Sequence, residues 1–195
     1  MQTKPSAKNK TSANEARTEN AQATEARPLS VKSALKIRLS GPLERDSIVN
    51  GYGLRAVLWT QGCLTHCKGC QNPETWDLDG GFEVDVAEIK DRLKTFKGQA
   101  GITFCGGEPF LQPEPLIEIA KFAHEELNWN VWSFSGYTYE QIQKKGGKQL
   151  ELLKNLDALI DGPFILEQRD LSLKFRGSRN QRLLHLKNGE ITKVE

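Results

Sequence analysis

Three of the chain's four cysteines fall within one short stretch, Cys63-Leu-Thr-His-Cys67-Lys-Gly-Cys70. Thiolates at C-x3-C-x2-C spacing on a single loop suit three irons of a [4Fe–4S] cluster, and the fourth iron then has no cysteine within local reach. An iron without a protein ligand is a place where a substrate binds and is broken. A closed four-cysteine cage is mainly an electron store or a staple. The same residues also suit a Cys3His zinc site completed by His66, or a disulfide framework. Adjacency of His66 and Cys67 makes tetrahedral ligation of one zinc by both awkward. Disulfides are disfavoured because the cysteines are few and clustered and no secretory signal is legible.

A second constellation follows about forty residues on, in Gly101-Ile-Thr-Phe-Cys-Gly-Gly-Glu-Pro109. Gly106 and Gly107 allow a backbone to approach a ligand without a Cβ in the way. Glu108 presents a carboxylate at the end of the apolar run, suited to a charge-assisted hydrogen bond from an ammonium. Cys105, just before the turn, reads as a small apolar residue ending a buried strand rather than a fourth cluster ligand. Further on, Ser133 and Ser135 offer hydroxyls for a ribose or carboxylate, and Tyr137 offers a ring for an adenine; core and rim positions are the plainer reading of these aromatics.

The elements that must position these groups are legible in the apolar pattern. Strand-like runs occur at Leu35–Leu39, Ala56–Trp59, Gly101–Phe104, Asn130–Phe134, Ala158–Ile160 and Arg182–Leu186. Between them Val86, Ile89 and Leu93 share one helical face, as do Leu116, Ile119, Ala120, Ala123 and Leu127, with shorter helices expected at Tyr139–Gln143 and Gln149–Leu153. Alternating strands and helices predict an α/β fold with a mostly parallel sheet. Five or six strands are too few for a closed eight-fold barrel, so a partial, open β/α barrel or a curved sheet is expected. The cysteines then sit past the C-terminal end of the Ala56–Trp59 strand, where α/β proteins collect their active sites.

The bulk numbers set limits. A chain of 195 residues supports one substantial core, predicted over residues 31–195. From Met1 to Pro28 there is no Val, Ile, Leu or aromatic residue, and residues 1–30 are expected to form a disordered tail. A formal charge of +2 gives no reason to invoke nucleic acid or a membrane, and no apolar run reaches spanning length. Reduced thiols and the lack of a legible export signal predict a cytoplasmic protein. Lys174, Arg176, Arg179 and Arg182 form a late basic patch, suited to an acidic partner surface, to a ligand carboxylate or simply to solvent.

The cysteine loop resembles that of the radical S-adenosylmethionine (SAM) superfamily, and Gly-Gly-Glu-Pro resembles its second motif. Several flanking stretches narrow the resemblance: Asp46-Ser-Ile-Val-Asn-Gly-Tyr-Gly-Leu-Arg55, Gln71-Asn-Pro-Glu-Thr-Trp-Asp77, Ser135-Gly-Tyr-Thr138, Asp161-Gly-Pro-Phe164 and Arg176-Gly-Ser-Arg-Asn-Gln-Arg182. Together they are similar to the glycyl-radical-enzyme activases that serve anaerobic ribonucleotide reductases, from about Leu35 to Leu186. The resemblance implies a partial α/β barrel with Cys63, Cys67 and Cys70 holding a [4Fe–4S] cluster. Gly106, Gly107, Glu108, Ser133 and Ser135 would lie around SAM, with Glu108 on its amino group. It implies reductive cleavage of SAM to a deoxyadenosyl radical and hydrogen abstraction from a glycine of a large glycyl-radical subunit, with flavodoxin or ferredoxin as electron donor. A pyruvate formate-lyase activase is the neighbouring alternative, and a zinc-stapled binding module the alternative outside this chemistry. Two positions depart from the wider pattern: Gly69 stands where an aromatic is usual, and Tyr52 where proline is usual.

Overall fold

A computed structural model describes residues 35–195. The tail expected over residues 1–30 lies outside the described residues. In chain order the elements are β1 (Lys36–Leu39), β2 (Glu44–Ser47), β3 (Arg55–Thr60), β4 (Phe82–Asp85), α1 (Val86–Thr95), β5 (Gly101–Gly106), α2 (Pro113–Leu127), β6 (Asn130–Phe134), α3 (Tyr139–Lys145), α4 (Gly147–Lys154), β7 (Ala158–Asp161), β8 (Arg182–Lys187) and β9 (Glu190–Val194).

The strands join in one sheet of order β4-β1-β3-β5-β6-β7-β8-β9, with β2 paired to β3 off that path. Only the centre is parallel: β3 with β5, β5 with β6, and β6 with β7. Each of those steps carries a helix in its connection, as a parallel crossover requires. The flanking strands all pair antiparallel. The expectation of a mostly parallel sheet is therefore corrected to a mixed one. The three unforeseen strands, β2, β4 and β9, are short and largely polar or exposed, so they carry no apolar alternation to announce them. β8 and β9 form a hairpin whose two-residue turn, Asn188-Gly189, takes positive φ at both positions (53° and 84°), the geometry that matches strand twist.

Period-two alternation divides the sheet's two faces. Leu58, Phe104, Val131, Leu159 and Leu184 pack with Leu93 of α1, Ile119 of α2 and Leu152 of α4 in the main core. The opposite face carries a smaller cluster, Trp132, Ala158, Ile160 and Leu183, with Phe134 and Phe175 against it. Arg55 is fully buried here. Its guanidinium donates to Thr103 Oγ1 at 2.5 Å, Asn130 Oδ1 at 2.7 Å and the Ile102 carbonyl at 2.7 Å, and lies 4.9 Å from the Trp132 ring centroid. Burial pulls it down to about 10, and the Asp157 carboxylate opposes that shift. This cation ties the N-terminal ends of β3, β5 and β6 together, at the end of the sheet opposite the cysteines.

Candidate active site

Four chain segments leave the C-terminal ends of the parallel strands and meet there: the cysteine loop after β3, the Gly-Gly-Glu turn after β5, Ser135-Gly136 after β6 and Asp161–Phe164 after β7. Parallel pairing explains the meeting, because it aligns the ends of successive strands on one edge.

Backbone contact holds the first two segments together. Gly107 N–H donates to the Thr60 carbonyl and Glu108 N–H to the Gly62 carbonyl, both at 2.8 Å. A Cβ on Gly107 would lie 2.3 Å from the Gly62 oxygen, and one on Gly106 2.5 Å from the Thr60 oxygen; Gly106 also has φ of 102°. On the side a Cβ would occupy, these glycines admit neighbouring chain. Gly107→Ala is expected to lose about 1–3 kcal/mol, the usual range for overpacking, and to loosen the cysteine loop. Urea unfolding measures the first effect and faster alkylation of Cys63 the second.

The cysteine loop is pinned from three more directions. Gly62 N–H donates to the Thr75 carbonyl at 2.9 Å and Cys63 N–H to the Trp76 carbonyl at 3.3 Å, closing the segment into a ring. Thr65 approaches Gly136 so closely that a Cβ there would lie 2.8 Å from its Oγ1. At Gly69, with φ of 75°, a Cβ would meet Leu166 Cδ1 at 3.1 Å. Positive φ there disfavours any side chain, and an aromatic ring would also have to displace Leu166.

Cys63, Cys67 and Cys70 are all free and half-buried. Burial pushes the Cys67 thiol up, the Phe164 backbone N–H pulls it down, and the neighbouring Cys70 and Cys63 thiols push it further up. The Cys67 sulfur therefore lies within electrostatic reach of the other two. Cys70 Sγ already accepts a hydrogen bond from Asn72 N–H at 3.4 Å. A donor set of three soft sulfurs on one loop suits iron–sulfur ligation. Among the described residues no three His, Cys, Asp or Glu side chains are gathered as ligands of a single ion. Cys105 stands apart: it faces Asn50, whose Nδ2 lies 3.8 Å from its sulfur, and burial pushes its thiol up to about 12.

Glu108 is 1% exposed. Its Oε1 accepts from Phe110 N–H at 3.0 Å and the Ser135 hydroxyl at 2.9 Å, and its Oε2 from Gly136 N–H at 2.7 Å. Burial pushes the carboxyl up to about 7, and those three donors only partly offset it. A buried carboxylate with no basic side chain bonded to it is a place where an ammonium ligand would be stabilised. Ser135 holds this carboxylate and also accepts from Tyr137 N–H at 3.0 Å. Ser133 is fully buried, its hydroxyl donating to the Phe134 carbonyl at 3.0 Å. Tyr137 lies near the site, since the Glu108 and Cys63 charges both raise its hydroxyl after burial does.

The late basic patch is partly internal. Arg182 is bound by both oxygens of buried Asp161 and by Glu140, and Arg176 donates to the Glu195 carbonyl at 2.8 Å. Asp161 also accepts from Tyr139 N–H at 2.8 Å, fixing the start of α3. Arg182→Leu leaves that carboxylate unpaired. It is expected to cost about 2 kcal/mol, less than a fully buried pair because Arg182 is partly exposed, as thermal unfolding would show. Tyr52, where proline is usual, packs edge-on against Trp132 and Phe175, and its hydroxyl donates to Glu195 Oε2 at 3.0 Å.

Three half-buried thiols beside a buried carboxylate at one edge of a mixed α/β sheet suit a single-cluster iron–sulfur protein. Residues 49–184 match the family described as "4Fe-4S single cluster domain". The anaerobic ribonucleoside-triphosphate reductase-activating protein of Haemophilus influenzae is 37% identical over 141 residues, which cover 69% of this chain and 89% of that protein. The pyruvate formate-lyase-activating enzyme of Clostridium pasteurianum is 37% identical over 123 residues, covering 60% of this chain but 49% of that enzyme. The chain belongs to the family of the anaerobic ribonucleoside-triphosphate reductase-activating proteins. Among solved structures, QueE from Escherichia coli overlaps at a TM-score of 0.42 with 15% identity over 53% of each chain, too slight a likeness to bear on the fold. No helix among the described residues is long and apolar enough to cross a membrane.

Proposed function

We propose that this protein is a radical SAM activating enzyme that installs a glycyl radical on the large subunit of an anaerobic (class III) ribonucleotide reductase, its sheet curved as the partial, open barrel of that superfamily. The observation that carries the proposal is the meeting of a three-cysteine loop and a buried carboxylate at the ends of four parallel strands. When bound, a reduced [4Fe–4S] cluster and SAM supply one electron and the deoxyadenosyl radical that takes a hydrogen atom from the partner's glycine.

The chain's own residues hold and orient. Cys63, Cys67 and Cys70 would hold three irons of the cluster and leave one for SAM. Glu108 receives the SAM amino group, with Ser135 and Gly136 fixing its carboxylate. Gly106 and Gly107 keep that carboxylate in register with the cysteine loop. Ser133, buried behind them, shapes the strand end. Flavodoxin or ferredoxin supplies the electron. The reductase is favoured over pyruvate formate-lyase as partner because this chain spans most of the reductase activator and about half of the lyase activator.

The test is anaerobic reconstitution with iron and sulfide, reduction with dithionite, and addition of SAM and either large subunit. The expected result is 5′-deoxyadenosine together with a glycyl-radical doublet by electron paramagnetic resonance on the reductase. A doublet on the lyase alone would transfer the assignment to the second partner. Stoichiometric zinc and no cleavage would overturn the radical chemistry itself.

A further inference from the structure

Trp76 carries an unexplained donor. Its indole Nε1–H is shut off from solvent and has no hydrogen-bond partner among the described residues. A buried N–H left unsatisfied is costly, so such groups ordinarily meet a partner in the working protein. The ring is placed by the cysteine loop. It stacks on His66, the residue before Cys67, with ring centroids 4.7 Å apart and planes at 27°. His66 takes positive φ, 46°, a conformation uncommon for a residue with a side chain. The Trp76 carbonyl in turn accepts from Cys63 N–H at 3.3 Å. The indole thus leans on the segment that carries two of the three thiols.

We propose that Trp76 Nε1–H is a hydrogen-bond donor to a sulfide of the bound cluster, and that it tunes the cluster's reduction potential. The inference rests on the cluster assignment of the preceding section. Reduction adds negative charge to the cluster, and a donor aimed at its sulfurs stabilises the reduced form more than the oxidised one. Trp76 is a positioning and tuning residue in this role; it does not touch the bond that breaks.

Trp76→Phe keeps a ring for the His66 stack and removes only the donor. Wild-type and variant proteins are reconstituted anaerobically, assayed for iron and sulfide, and titrated to give the cluster's midpoint potential. The dithionite-reduced samples are then examined by electron–nuclear double resonance, in water and in deuterium oxide, with protein grown on indole-¹⁵N tryptophan. The expected result is an exchangeable-proton coupling and a ¹⁵N coupling in the wild type, both lost in Trp76→Phe, whose potential moves to a more negative value. Of the other labelled tryptophans, Trp59 donates its Nε1–H to Glu44 Oε2 at 3.1 Å, and Trp129 and Trp132 lie toward the Arg55 end of the sheet, so the wild-type ¹⁵N coupling decides the matter even if Trp76→Phe fails to fold. A cluster with full iron and sulfide but no ¹⁵N coupling, or an unchanged potential in the variant, overturns this inference alone. Failure to assemble any cluster overturns the assignment beneath it as well.

Discussion

Cys63→Ala, Cys67→Ala and Cys70→Ala are each expected to fold normally and to lose both the cluster and SAM cleavage. The three side chains are half-buried on a loop outside the two apolar clusters, so each substitution should change stability by no more than about 1 kcal/mol. Activity should respond quite differently. Loss of a group that merely supports a metal ligand lowers affinity or activity by about 10–100-fold, and loss of a ligand should exceed that. Iron analysis after reconstitution and quantification of 5′-deoxyadenosine check the two halves of the expectation. Cys105→Ser supplies the contrast. Its thiol is turned toward Asn50, away from the cysteine loop, and burial pushes its pKa up to about 12, so the variant should retain its iron. Loss of iron in Cys105→Ser, or retention in Cys67→Ala, would show that the ligand set is misassigned.

Glu108→Gln should produce the second large effect, on SAM binding. The substitution keeps the shape of the side chain and removes its charge, while the donors from Phe110, Ser135 and Gly136 lose part of their acceptor. A hydrogen bond to a charged group contributes about 1.5–3 kcal/mol, so affinity should fall roughly ten- to a hundredfold. The wild type should also show a pH signature that the variant lacks. The Glu108 carboxyl lies near 4.5 in a free chain and is pushed up to about 7 by burial. Its contribution to stability is therefore complete below about 4.5 and is lost as pH rises through about 7. An ammonium ligand favours the ionised carboxylate and draws the proton off. SAM should consequently bind more tightly as pH rises toward 7, with release of a proton that calorimetry in two buffers can detect. A flat pH profile in the wild type would remove Glu108 from the SAM site.

The chemistry was more legible in the residues than the frame that holds it. Cysteine spacing is a purely local signal, because C-x3-C-x2-C confines three sulfurs to one loop whatever surrounds them. The central strands were visible for a related reason. Each is buried, and runs such as Ala56–Trp59 and Asn130–Phe134 are apolar enough to declare it. β9 declares nothing, since every residue from Glu190 to Val194 is exposed and hydrogen bonding to β8 alone makes it a strand. Gly106 and Gly107 were recognisable as positions of close approach, yet the approaching group is the backbone of Thr60 and Gly62, a contact that depends on the β3–β5 register. Ser135 illustrates the same limit. Its hydroxyl was legible as a hydrogen-bonding group at a strand end, but its partner, Glu108, lies 27 residues away and is brought to it by parallel pairing. Gly136 and Trp76 were present in the quoted motifs without any local sign of what they would face.

The half-open setting of the three thiols has a consequence for how the protein must live. An iron that a second molecule can reach is also one that dioxygen can reach, and thiols exposed beside it are open to oxidation. Closing the loop under a lid would protect the metal and shut out the reactants together. Protection must then come from surroundings free of air, and brief aeration of the reconstituted protein should bleach its colour and release its iron.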